Sequence, residues 1–111
     1  MVNFETAEEN VEFYVATMAL GLLQSIKNQT VPPDIGIWSL GRPMFWKSLE
    51  KKKIISSELL RVLQTLDELD LMENMLPLDM TKELDKLIDT VNSCLSKIDY
   101  DSIDAKIRPN L

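Results

Sequence analysis

The chain has 111 residues, a formal net charge of −6, 45% hydrophobic and 27% charged side chains. That length suits one domain burying roughly two-thirds of its unfolded surface, and the composition is that of a folded globule rather than a disordered segment. With no histidine and a single cysteine, Cys94, the chain excludes an internal disulfide and the familiar zinc clusters, and it lacks the commonest general base.

The first twenty residues carry Glu5, Glu8, Glu9 and Glu12 and no lysine or arginine, unlike the basic start of a secretory signal. The longest apolar stretch, 13–23, has eleven residues, against the roughly 20 that span a bilayer. We therefore expect a cytoplasmic chain in a reducing compartment, with no membrane attachment.

A first helix is expected over 6–28. Thr6-Ala7-Glu8-Glu9 reads as a capping box, in which the hydroxyl and the Glu9 carboxylate satisfy each other's free N–H groups. Between Phe13 and Leu23 only Thr17 is polar, so this helix should be largely buried. Gly21, costly inside a helix, suggests close backbone approach by a neighbour. Residues 28–41 read as a connection, since Pro32-Pro33 cannot continue a helix.

A second helix fits 43–52, with Pro43 at the favoured first position and Phe45, Trp46 and Leu49 on its contact face. The third spans 57–75, capped by Ser56 or Ser57 and stopped by Pro77, with Leu59, Val62, Leu63, Leu66, Leu69 and Met72 at helical spacing. The fourth covers 80–99 behind an Asp79 cap. Its stripe of Met80, Leu84, Leu87, Val91, Leu95 and Ile98 is narrow, which suggests an amphipathic, peripheral helix. Segments 1–4 and 101–111 are expected to be loosely ordered. The expected architecture is all-α, a single-domain bundle of about four helices.

No Gly-rich phosphate loop is present. Asp67, Asp70 and Glu73 recur every three residues, and Asp85 and Asp89 lie four apart. Paired carboxylates serve magnesium or glycosidase chemistry, but the same spacing marks any solvated acidic helix, so we expect no enzyme, no metal and no cofactor. Cys94 reads as a structural thiol. The segment 37–46 holds Trp38, Arg42, Phe45 and Trp46, side chains typical both of interface anchors and of a core corner.

Charge falls in blocks: −4 over residues 1–36, +4 over 37–61 and −6 over 62–111. The Lys51-Lys52-Lys53 run could touch phosphates, yet a chain with pI near 4.6 repels polyanions at range, so nucleic acid is not the expected partner. Acidic faces suit a protein with a basic surface.

Leu20-Gly21-Leu22-Leu23-Gln24-Ser25-Ile26-Lys27-Asn28 and Glu68-Leu69-Asp70-Leu71-Met72-Glu73-Asn74-Met75-Leu76-Pro77 resemble two stretches of a family of short bacterial proteins of unknown function, found mostly among bacilli. The resemblance implies no activity, cofactor or catalytic residue. By analogy of size and charge, it suggests an immunity protein that neutralises a toxin. The functional expectation is a small acidic protein-binding module that occludes a basic partner surface, using Asp67, Asp70 and Glu73 with Trp38, Arg42 and Trp46. The alternative is a homodimer or larger homo-oligomer, a structural or regulatory helical bundle paired through its fourth helix.

Overall fold

A computed structural model of the protein describes residues 1–68 and 77–111. In chain order the described elements are β1 (Asn3–Glu5), a 3-10 turn (Glu8–Asn10), α1 (Val11–Lys27), α2 (Pro33–Trp38), α3 (Pro43–Lys52), α4 (Ser57–Leu66), α5 (Pro77–Ser96) and β2 (Arg108–Asn110). The protein is mostly helical, with one small sheet.

α1 packs most extensively on α5, and α4 covers both. Val15, Ala16, Ala19, Leu23 and Ile26 of α1 meet Leu84, Ile88, Val91 and Cys94 of α5 and Leu59, Val62, Leu63 and Leu66 of α4 in one buried cluster. Each large side chain so buried contributes about 1.5–3 kcal/mol. On α1 only one face is sealed: Met18 is exposed, and Phe13, Tyr14, Leu20 and Leu22 are half-buried. The Met80–Ile98 stripe turns inward, supplying Leu84 and Val91 to the core, so α5 is a central helix and not a peripheral one.

Other boundaries also differ from expectation. Thr6 does not cap a helix. Its hydroxyl donates to the Lys106 carbonyl and accepts from the Asn10 amide, and α1 starts only at Val11. Pro32-Pro33 opens a helix rather than ending one, because extended Pro32 caps α2 and Pro33 takes the first helical position, where no N–H is needed. α3 has the expected bounds and ends where Lys53 turns left-handed at φ 55°. α4 gives way to a turn at Asp67 and Glu68, the expected continuation over 69–75 with Leu69 and Met72 lies outside the described residues, and Pro77 stands at the first position of α5.

The ends of the chain, expected to be loose, meet in an antiparallel ribbon with Asn3 opposite Asn110, Phe4 opposite Pro109 and Glu5 opposite Arg108. This is the departure from an all-α fold. Asn10, fully buried, ties the ribbon to α1. Its side-chain amide donates to Thr6 Oγ1 at 2.8 Å and Asp104 Oδ1 at 2.9 Å, and its oxygen accepts the Ala105 N–H at 3.2 Å. Tyr14 donates its hydroxyl proton to the Ala105 carbonyl. Ala105 is held at φ 54°, a conformation that a non-glycine residue keeps only when its surroundings fix it.

Candidate binding surface

The surface begins at Gly41. Its N–H donates to the Gly36 carbonyl at 2.9 Å, which folds the end of α2 back on itself, and its carbonyl accepts the indole N–H of Trp46 at 3.0 Å. A Cβ at this position would lie 2.8 Å from the Asp67 nitrogen, 2.8 Å from the Leu66 carbonyl carbon and 2.9 Å from the Gly36 oxygen. All three are backbone atoms, so only glycine fits. Gly21, by contrast, has nothing within 4 Å of where a Cβ would stand. The close approach anticipated there occurs at Gly41.

This contact sets the end of α4, with Asp67 and Glu68, beside the loop that carries the aromatic segment. The two tryptophans divide the roles that their sequence left open. Trp46 is half-buried on the contact face of α3 with Phe45 and Leu49, its only polar atom satisfied by Gly41. Trp38 is 68% exposed at the end of α2. The Arg42 guanidinium sits 5.8 Å from the centroid of its ring, and its terminal nitrogen is 3.8 Å from the Met44 sulfur. Met44 is itself 77% exposed. Trp38, Ser39, Arg42, Met44 and Phe45 line an open depression.

Arg42 is thus held over an aromatic face beside the Met44 sulfur, and stacking of this kind limits the rotamer freedom lost on binding. Lys47 lies 6.0 Å from the Trp46 ring and carries the cationic side of the surface along α3.

Cys94 is buried with its sulfur 3.9 Å from Ser56 Oγ, and burial pushes its thiol pKa up, away from a reactive thiolate. No group of three or more carboxylate or cysteine side chains could hold a metal ion among the described residues. No described helix is long and apolar enough to cross a membrane.

The family described as Protein of unknown function (DUF3969) matches residues 6–108, nearly the whole chain. The chain belongs to the DUF3969 family. No curated protein and no solved structure matches it. Of the six site residues expected in this DUF3969 member, Trp38, Arg42 and Trp46 lie on the corner around Gly41, with Trp46 as support rather than surface, and the backbone of Asp67 meets Gly41. Asp70 and Glu73 lie outside the described residues. Sequence reasoning missed Met44. Met44 sits on the outward side of α3, opposite Phe45, Trp46 and Leu49, and its place in that helical register was the available signal.

Proposed function

We propose that this DUF3969 protein is a non-catalytic protein-binding module of bacterial immunity or inhibitor type, acting in the cytoplasm by covering a basic surface of its partner. The carrying observation is the Gly41 contact, which seats the backbone of the acidic turn at Asp67 against the loop that carries the exposed Trp38–Arg42–Met44 corner. Such a surface has the anatomy of an interface hot spot, a rigid aromatic anchor with charge at its rim. The net charge of −6 attracts a basic partner over distance, and the corner supplies the contact that excludes water. Function needs only occlusion, which agrees with the buried thiol and the lack of histidine.

The test is capture from a bacterial lysate on the immobilised chain. A protein retained by the wild type should be lost with Trp38→Ala and with Asp67→Lys, and its retention should weaken as salt rises. A retained set indifferent to both substitutions would rule the reading out.

A further inference from the structure

The terminal ribbon has one open edge and one closed edge. Phe4 stands opposite Pro109, and proline has no N–H, so this pair cannot exchange the two bonds of a hydrogen-bonded antiparallel pair. The ladder is therefore made by Asn3 with Asn110 and Glu5 with Arg108, and the Phe4 N–H and C=O turn outward. They have no other backbone partner among the described residues. On the far edge Pro109 has no donor to offer, a common way in which an edge is protected from further pairing. Strand addition is thus possible on the β1 side only.

We propose that β1 pairs with β1 of a second copy of the chain, antiparallel about a two-fold axis at Phe4, to form a four-stranded sheet. In this register the two Phe4 residues exchange N–H···O=C bonds in both directions. Asn3 then faces Glu5 of the second copy, so each carboxylate meets an amide and no like charges oppose one another. The Glu5 carboxylate is already held by Arg108 at 2.9 Å and Asn110 at 3.1 Å, which fixes the strand in an extended form ready to pair.

The side chains agree with the backbone. Phe4 is 69% exposed, and with Met18, Tyr14, Phe45, Leu49 and Ile107 it lines an open apolar groove between the ribbon, α1 and α3. Across a hydrogen-bonded pair the second Phe4 stands about 5.5 Å away on the same face of the sheet. The two rings together cover the mouths of both grooves. A two-stranded ribbon alone is marginal in water, whereas four strands with an apolar face on helices form a stable layer. This surface shares Phe45 with the Trp38 corner, but the tests of the two substitute different residues, so either can fail without the other.

Sedimentation velocity on the wild type from micromolar to millimolar concentration tests the dimer, and Phe4→Lys, which places a charge at the axis, should weaken it at least tenfold. Disulfide trapping in a Cys94→Ala background tests the register, with circular dichroism to confirm that each variant is folded. Phe4→Cys should cross-link readily, since its Cα atoms would be about 5.5 Å apart, while Asn3→Cys, diagonal to its copy at more than about 7 Å, should not. A wild type that sediments as a monomer at every concentration overturns the proposal. So does Asn3→Cys cross-linking as readily as Phe4→Cys.

Discussion

Glu12, on α1, accepts the backbone N–H of Ser56, forty-four residues further along, at the point where α4 begins. Ser56 in turn accepts the Leu59 N–H on its own hydroxyl at 3.2 Å. In an ordinary capping box both acceptors belong to one helix. Here the second comes from a neighbouring helix, so starting α4 and docking it on α1 are one event.

Removing either half of this split cap should therefore weaken folding. Ser56→Ala should cost about 1 kcal/mol, the usual value of an N-cap. Glu12→Ala leaves a partly buried N–H unpaired and should cost about 1–3 kcal/mol. Glu12→Gln keeps an acceptor in place and should recover much of that loss. Urea denaturation of the three variants gives the comparison, and equal midpoints for Glu12→Ala and the wild type would remove the interhelix cap from the account.

The two glycines should respond oppositely to alanine. Gly41→Ala drives a Cβ into three backbone atoms that cannot swing aside, and should cost about 1–3 kcal/mol or more. Gly21→Ala adds a methyl group in open space on α1 and should stabilise by about 0.4–1 kcal/mol. Thermal melts of both decide the matter.

Truncating the tryptophans should separate binding from folding. Trp38→Ala removes an exposed ring and should change stability by less than about 0.5 kcal/mol. Trp46→Ala empties a half-buried place on α3 and takes away the donor to Gly41, for an expected loss of about 2–3 kcal/mol. Chemical denaturation followed by circular dichroism reads both, and a large loss for Trp38→Ala would mean that this ring is structural.

Acid should open the chain ends before the core. The Arg108 side chain, then Asn110, holds the Glu5 carboxyl below its ordinary range, and the Lys106 N–H with the Asn10 amide does the same for Asp104. A carboxyl depressed on folding stabilises the folded state above its unfolded pKa, near about 4, and that contribution is lost as pH falls through the lower folded value. In an NMR titration the Ala105, Lys106 and Arg108 amides should change below about pH 4 while those of α1 and α5 hold. Glu5→Gln with Asp104→Asn should flatten this response.

What could be read from sequence followed the range of each signal. α3 was legible to the residue because Pro43 and the spacing of Phe45, Trp46 and Leu49 are local. The core faces of α4 and α5 were largely legible for the same reason. α2 was hidden because two prolines stop one helix and start another with the same chemistry. The ribbon was hidden because three-residue strands have no periodicity to read and each partner lies at the opposite end of the chain. Thr6 satisfied a local pattern and was taken instead by a carbonyl one hundred residues away. At the surface, the sequence showed the tryptophans and the acidic turn but not that Gly41 seats the loop between them against the backbone at the end of α4.

The ribbon also orders events during synthesis. β1 leaves the ribosome more than one hundred residues ahead of β2, its partner strand among the described residues, and a closure that long is slow to form. Until residues 104–110 emerge, Asn10 has neither Asp104 nor Ala105 to bind. Through that interval the N–H and C=O groups of Asn3 and Glu5, which β2 will pair, stand open to passing strands. The inner edge of β1 is sheltered only once residues 108–110 have arrived, while its outer edge, at Phe4, stays open throughout.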